Sequence, residues 1–172
     1  MKKAPVPIVA VVILALLFLT VRVSFAEGAF GAGVRRHAQH SVFEDLPFDD
    51  GDLSYGIAYE YHDKKAYWQL GVGYAPQPGT NGVDYVVTPQ LNLIVKDRVW
   101  RAGIGVLDSY VEMEDGENDW TDVYFQFLTG IHLPVFGMDF DVLAFYPFAE
   151  WGDISDFDFD DIDYGAWLTF SF

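Results

Sequence analysis

The chain has 172 residues, of which 26 are acidic and 10 are Lys or Arg, so its net charge at pH 7 is −16. This length is enough for one domain. The acidic balance excludes nucleic acid as a partner, because such partners require a basic surface that neutralises phosphates. The absence of cysteine excludes disulfides and thiol chemistry.

Residues 1–26 predict a cleaved signal peptide. Lys2 and Lys3 form a positive start, an apolar run extends from Ile8 to Thr20, and a small-x-small cleavage site follows. An uncleaved anchor is the alternative, but the run is short for a membrane helix, which needs about 20 residues. Cleavage leaves residues 27–172 as one domain with seven basic residues against 26 acidic ones, a net charge of −19.

Eight later segments alternate apolar side chains with polar or small ones, which is typical of strands. They lie at about residues 29–37, 53–62, 66–75, 83–96, 99–111, 121–134, 138–149 and 161–172. Each is close to or longer than the 9–11 residues of a tilted transmembrane strand. Their even number fits a single-chain bacterial barrel. The sequence therefore predicts an all-β fold, an eight-stranded antiparallel up-and-down transmembrane β-barrel. A soluble lipocalin-like barrel with its apolar face inward is the alternative.

The connections between these segments alternate between long and short. The long ones fall at about residues 38–52, 76–82, 112–120 and 150–160, and they carry most of the acidic side chains. The short ones carry several lysines and arginines. Outer-membrane barrels have long outer loops and tight periplasmic turns. This pattern predicts the bacterial outer membrane as the location, with acidic loops on the cell surface.

The last segment alternates apolar and polar residues and ends on an aromatic residue. We interpret Tyr164, Phe170 and Phe172 as a signal read by the barrel assembly machinery. Side chains at even-numbered positions, like that of Phe172, would face lipid. Asp156, Asp158 and Asp160 would then also face lipid, at a cost of a few kcal/mol each. We therefore expect either a β-bulge near Asp160-Asp161 or a loop above the membrane rim.

The inward positions of the predicted barrel include charges of both signs. The predicted charge network consists of Arg35, Glu60, Lys96, Arg101 and Asp141. Isolated buried charge is costly, so we expect Glu60 and Asp141 to meet Lys96, Arg101 or Arg35. Eight strands enclose only enough space for side chains, which predicts a filled lumen. A narrow channel or a conduit for a hydrophobic ligand is the alternative.

Two further groups are candidate chemical sites. The pair His40-Ser41 has no placed acid partner and predicts no nucleophile. Asp156, Asp158, Asp160 and Asp161 lack the spacing of an EF-hand, so they predict at most weak Ca²⁺ or Mg²⁺ binding that bridges to lipopolysaccharide phosphates. No other cofactor is expected.

Three segments resemble the lipid A 3-O-deacylase (acyloxyacyl hydrolase) family: Ala66–Tyr74, Tyr85–Leu91 and Arg101–Val106. The resemblance implies a catalytic His and Ser on the seventh strand, completed by a later Glu. Tyr146 and Phe148 stand at those two positions here, and no His or Ser occurs between Leu133 and Asp153. The resemblance therefore implies a deacylase-like fold without its catalytic pair.

The predicted function is a non-catalytic structural, surface-interaction or lipopolysaccharide-binding role. Its expected partners are outer-membrane lipids, lipopolysaccharide and the barrel assembly machinery, and the expected oligomeric state is a monomer. A lipid A acyl hydrolase is the enzymatic alternative.

Overall fold

The computed structural model describes residues 27–39, 46–63, 65–80 and 82–172, so the predicted signal peptide and the pair His40-Ser41 lie outside the described residues. The strands are β1 (Glu27–Arg36), β2 (Leu53–His62), β3 (Ala66–Pro76), β4 (Val83–Lys96), β5 (Trp100–Leu107), β6 (Tyr110–Met113), β7 (Asn118–Trp120), β8 (Tyr124–Val135), β9 (Met138–Phe148) and β10 (Asp163–Ser171). Two short 3-10 helices, Asp153–Asp156 and Phe159–Asp161, precede β10. No helix in the described ranges is long and apolar enough to cross a membrane.

Eight of these strands close into an antiparallel barrel. Each pairs with its neighbour around the wall, β1 pairs with β10, and the β3–β4 pairing completes the circle. The remaining two strands, β6 and β7, form a hairpin. It extends one side of the barrel wall beyond the closed barrel, because β6 pairs with residues 83–87 at the start of β4. The predicted eight-stranded antiparallel barrel is confirmed.

The predicted fifth strand is interrupted, which the alternation did not indicate, and the predicted sixth strand begins only at Tyr124. The gap in the fifth falls at Asp108 and Ser109, opposite Pro89, which has no N–H to donate to a neighbouring strand. Across the gap, Ser109 N donates to Thr121 Oγ1 (3.0 Å), and Thr121 N donates to Ser109 O (2.9 Å). These local bonds replace the regular ladder and mark where the wall ends and the hairpin begins.

The three short connections lie at one end of the barrel, here called the short-turn end, and the long connections lie at the other, the long-loop end. The short connections are residues 63–65, 97–99 and 136–137. Both ends of the described chain lie at the short-turn end, where Glu27 is in register with His62 and Phe172 N donates to Gly28 O. This arrangement matches the loop asymmetry of outer-membrane barrels.

The outer face of the wall is apolar. Large exposed side chains include Phe30, Ile57, Val72, Val106, Phe127, Ile131, Val142 and Leu168, and exposed aromatics near the two ends include Tyr55, Tyr74, Trp68, Trp100 and Phe170. Polar side chains such as Glu60, Gln69, Asn92 and Gln126 are buried inside. An apolar band with aromatic residues near both rims is the exterior that lipid requires. A soluble barrel would show the reverse.

The lumen also contains an apolar layer that the sequence analysis did not bring out. Its buried members are Ala58, Tyr67, Ile94, Leu128, Leu143, Phe145 and Trp167. Trp167 fits because β1 and β2 carry paired glycines: a Cβ on Gly33 would lie 2.5 Å from the indole and a Cβ on Gly56 2.6 Å from it. Packed rings and aliphatic groups therefore share the lumen with polar side chains.

The acidic segment before β10 is a loop. Strand β10 begins at Asp163, and the two 3-10 helices occupy the preceding residues, so no β-bulge is needed to turn the aspartates away from lipid. The loop folds back on the outer wall, where the ring of Phe157 packs against Tyr146 and the ring of Trp151 packs against Phe148. Tyr146 and Phe148 face outward but are buried beneath it.

Candidate functional site

A chain of hydrogen bonds begins at the short-turn end of the lumen. Lys96 Nζ donates to His62 Nδ1 (2.9 Å), and His62 Nε2 lies 2.7 Å from Glu60 Oε2. Gln69 donates to Glu60 and accepts from Asn92, both at 2.9 Å. Because Nδ1 accepts from the ammonium, the imidazole carries its proton on Nε2 and donates it to the carboxylate. The buried Glu60 therefore has partners for both oxygens.

The same series of hydrogen bonds continues to the middle of the barrel through Gln126, which is fully buried. Its amide nitrogen donates to Asn92 Oδ1 (2.7 Å) and Gln90 Oε1 (3.1 Å), while its carbonyl accepts from Arg35 Nη1 (3.0 Å). A buried polar network is stable only when its members are satisfied. The bonding of these amides meets that condition.

Asp163 is the centre of a compact cluster at the long-loop end. Its Oδ2 accepts from Arg35 Nε (2.8 Å) and contacts His37 Nδ1 (3.0 Å), and its Oδ1 accepts from Ala38 N (2.7 Å). On the far side of the imidazole, His37 Nε2 lies 2.9 Å from Ser54 Oγ. Asp163, His37 and Ser54 are all buried. An aspartate, a histidine and a serine are thus in hydrogen-bonded series.

A second ionic cluster lies around Asp141, nearer the short-turn end. Asp141 Oδ1 contacts His132 Nδ1 at 2.9 Å and Arg101 Nε at 3.8 Å. Arg101 Nη1 also donates to the carbonyl of Asp97 (2.8 Å). The arginine is therefore anchored to the turn as well as to the carboxylate.

The five residues of the predicted charge network all lie in the lumen, but with partly different partners. Lys96 reaches Glu60 only through His62, and Arg101 lies beside Asp141. Arg35 pairs with Asp163, which was not among its expected partners. Parity places a side chain inside the barrel, but its height along the axis depends on register, which the sequence pattern does not provide.

The described acidic side chains before β10 do not form a group of metal ligands. Asp158 Oδ1 accepts from the backbone N–H of Asp160 (3.1 Å), which caps the second 3-10 helix, and Asp161 is buried. The side chain of Asp156 lies outside the described part of the chain. Within the described ranges, no three His, Cys, Asp or Glu residues are grouped as metal ligands. Weak divalent-ion bridging stays a prediction.

An open groove of about 580 Å³, here called the outer groove, lies at the long-loop end, beside the β6–β7 hairpin. Its apolar lining comprises Leu46, Val83, Val111, Met113 and Trp120, and its acidic lining comprises Glu117, Asp119 and Asp122. No Lys or Arg lines it among the described residues, and none of the three acids has a described cation within 4.0 Å. The groove therefore offers apolar contact beside three carboxylates that are not paired with any Lys or Arg of the described ranges. The sequence analysis placed Glu117 and Asp119 in a long acidic loop, but it put Asp122 in the predicted sixth strand and did not indicate the groove.

Tyr110 of β6 contacts a glutamate on its own strand and a tryptophan on the other strand of the hairpin beside this groove. Tyr110 Oη donates to Glu112 Oε2 (2.7 Å), and the Tyr110 ring packs edge-on against Trp120 at 5.5 Å. The hydrogen bond to this carboxylate, with smaller contributions from desolvation and from the charge of Glu112, raises the pKa of Tyr110 to about 12. The hydroxyl stays protonated and keeps donating at neutral pH.

Basic residues concentrate at the opposite end. Lys65, Lys96, Arg98, Arg101 and His132 line an open cavity of about 610 Å³ at the short turns. The barrel therefore has a basic short-turn end and an acidic long-loop end. This polarity follows the separation of charges between short and long connections in the sequence.

The three residues interpreted as an assembly signal lie on the outer wall. Tyr164, Phe170 and Phe172 are all exposed, and Phe172 stacks with Phe30 of β1 at 6.5 Å. Their recognition by the assembly machinery stays a prediction.

These features define a class: a small eight-stranded β-barrel of the outer-membrane type, with an apolar exterior, a filled polar lumen and long acidic loops. No family model and no curated protein matches the chain. Among solved structures it is similar to neisserial surface protein A (NspA), at 12% identity and a TM-score of 0.53, over 85% of this chain and 97% of that chain. It is also similar to the Yersinia pestis outer membrane protein Ail in a phospholipid nanodisc, at 7% identity and a TM-score of 0.48, over 86% and 100%.

The likeness to NspA concerns the fold, and with the apolar exterior it supports a place in the outer membrane. No family model matches the chain, so the resemblance to the lipid A deacylase family is not shown. The outward positions of Tyr146 and Phe148 lie beneath the β9–β10 loop and carry neither a base nor a nucleophile.

Proposed function

We propose that this chain is a surface-interaction barrel of the bacterial outer membrane, whose outer groove binds a basic segment of a partner protein. The observation that carries this proposal is the lining of the groove, where apolar side chains lie beside Glu117, Asp119 and Asp122. A segment that alternates basic and apolar residues matches both parts of such a surface. Opposite charge speeds encounter and selects partners, and the apolar contact adds affinity.

The test uses the barrel in phospholipid nanodiscs and a fluorescent peptide of alternating lysine and leucine as the probe. We expect the variant Glu117→Gln/Asp119→Asn/Asp122→Asn to weaken binding, because it removes the three negative charges of the groove. The expected loss is about tenfold or more, which corresponds to about 1.4 kcal/mol or more. Fluorescence anisotropy at two salt concentrations measures the affinity. Met113→Gln, which changes no charge, is also expected to weaken binding, because it removes apolar contact.

The matched control is Asp153→Asn/Asp158→Asn/Asp160→Asn, which removes the same charge from the β9–β10 loop. This variant is expected to leave the affinity within about threefold of the unmodified barrel, since distant exposed charges are screened by salt. Equal losses in the two triple variants would show general attraction to an acidic surface and would contradict a groove.

Lipopolysaccharide contact is a second candidate, favoured by the outer surface of the β9–β10 loop. Trp151, Phe157 and Phe159 are exposed there, on a loop that also carries Asp153, Asp158 and Asp160. The rings would contact acyl chains, while divalent cations would bridge the carboxylates to lipopolysaccharide phosphates.

The same two triple variants test this candidate in reversed roles. In lipopolysaccharide-containing vesicles, Ca²⁺ is expected to raise the unfolding temperature of the barrel, because a ligand that binds only the folded state stabilises it. The Asp153/Asp158/Asp160 variant should lose this increase, and the groove variant should keep it. An increase that survives in the former contradicts bridging by this loop.

A channel is not proposed. The described lumen residues bond to one another along the axis, and the cavities around His37 are about 20 Å³ each. A hydrolase on β9, which is the predicted seventh strand, is not proposed either, because that strand has neither the histidine nor the serine that such chemistry needs.

A further inference from the structure

We propose that Ser54, His37 and Asp163 form a serine-nucleophile site for small carboxylic esters at the long-loop end of the lumen. The three residues are brought together by pairing around β1. Ser54 lies near the start of β2, opposite Arg35 of β1, and Asp163 begins β10 on the other side of β1. His37 follows directly after β1, between the two. This site is separate from the outer groove, and it revises the expectation of a non-catalytic chain.

The atoms are those that an activated serine requires. His37 uses Nδ1 toward Asp163 Oδ2 (3.0 Å) and Nε2 toward Ser54 Oγ (2.9 Å). An imidazole that donates Nδ1–H to a carboxylate has its free lone pair on Nε2, where it accepts the serine proton. Nucleophile, base and orienting acid are thus each within hydrogen-bond distance of the next.

The orienting carboxylate is itself held in place. Arg35 Nε and the backbone N–H of Ala38 donate to its two oxygens at 2.8 and 2.7 Å. These bonds fix Asp163, which in turn fixes the tautomer and orientation of His37. Asp163 and Arg35 are therefore positioning residues, while Ser54 and His37 would touch the reacting atoms.

Space and a positive group are present beside the serine. A cavity of about 20 Å³ is lined by Arg35, His37, Ser54 and Thr88, among others, which is room for about one water molecule. The guanidinium of Arg35 on its wall places a positive charge near the oxyanion that forms during acyl transfer. Phe48 stacks on the His37 ring at 3.7 Å and covers it, so an ester reaches Ser54 only when this side chain is displaced.

The reaction balances without any further reagent than water. Ser54 Oγ attacks the ester carbonyl while its proton moves to His37 Nε2. The bond from the carbonyl carbon to the alcohol oxygen then breaks, and the imidazolium returns the proton to the leaving alcohol. Water repeats the sequence on the acyl-serine, releasing the acid. Because the site lies inside the lumen rather than on the lipid face, a small water-soluble ester is the matching substrate class.

The test uses the full barrel in nanodiscs, with diisopropyl fluorophosphate as the probe of the serine and p-nitrophenyl acetate as the substrate. We expect mass spectrometry to find the adduct on Ser54 and not on the exposed Ser155 or Ser171. Ser54→Ala should lose the adduct and the acetate release, and His37→Gln should slow labelling by about 10²–10⁴-fold, the usual contribution of a general base. Heat-modifiability on gels and circular dichroism identify any variant that fails to fold.

A second variant, Phe48→Ala, tests the proposal even if Phe48 keeps the probe away from Ser54 in the unmodified barrel. This variant is expected to label faster than the unmodified barrel, with a rate that rises with pH as a single imidazole loses its proton. The proposal is overturned if Ser54 stays unlabelled in both proteins at probe concentrations that label a soluble serine esterase. Labelling of Ser171 at the same rate as Ser54 overturns it equally, because that would be unassisted reaction of an ordinary hydroxyl.

Discussion

Replacing Asp163 with alanine is expected to destabilise the barrel by about 3–5 kcal/mol, because removing one partner of a buried ion pair leaves the other charge uncompensated. Asp163 is 1% exposed, and the side chain of its partner Arg35 is 11% exposed. The substitution also removes the acceptor of His37 and of the Ala38 backbone. Urea unfolding of the barrel in phospholipid vesicles, followed by tryptophan fluorescence, measures the loss from the midpoint and slope.

The matched control is Asp50→Ala, which breaks the pair that Arg36 makes at a nearly equal distance but on the surface. There the side chains are 49% and 61% exposed, and the N–O distance is 2.9 Å. Exposed pairs contribute about 0–1 kcal/mol, so this variant should unfold almost as the parent does. Equal midpoints for the two variants would show that Asp163 does not neutralise Arg35.

A double variant separates the charge from the packing. Arg35→Met/Asp163→Leu is expected to regain most of the stability lost in Asp163→Ala, because apolar groups often replace a buried ion pair at little cost. A double variant as unstable as the single one would instead assign the loss to the bonds of His37 and Ala38.

Much of the barrel follows from the alternation of side chains. Parity alone places Glu60, Gln69 and Gln126 inside and Ile57 and Phe127 outside, because successive side chains on a strand point to opposite faces. The even strand count and the alternating connection lengths then give closure and the positions of the two ends. These properties depend only on period and length, which a single sequence contains.

The partners inside the lumen could not be predicted in the same way. Whether Arg35 meets Glu60 or Asp163 depends on the stagger of strands that are far apart in sequence. The series Asp163–His37–Ser54 arises for the same reason, from three strand ends that pairing brings together. The break at Asp108 and Ser109 could not be placed from its own segment, because its position depends on the register with Pro89 of the neighbouring strand. Such features belong to pairs of segments rather than to any one segment.

The membrane assignment depends on the outer face being in hydrocarbon, and Ile57→Arg tests it directly. Ile57 lies in the middle of β2, is 62% exposed, and stands in register with Ala32 and Val72 on its two neighbours. An arginine on the lipid face costs about 2–4 kcal/mol at the bilayer midplane and about 0–1 kcal/mol near the interfaces. We therefore expect the free energy of unfolding in vesicles to fall by about 2–4 kcal/mol, the midplane value.

Val99→Arg is the control, because Val99 is also exposed but lies in the short turn between β4 and β5. Both variants add one positive charge to an outward position, so general charge effects cancel in the comparison. In a soluble barrel both sites would face water, and surface substitutions there change stability by about 0.5 kcal/mol or less. A large loss at Ile57 with a small one at Val99 thus requires a low-dielectric band around the waist of the barrel, whereas similar small losses would place water there and contradict the membrane assignment.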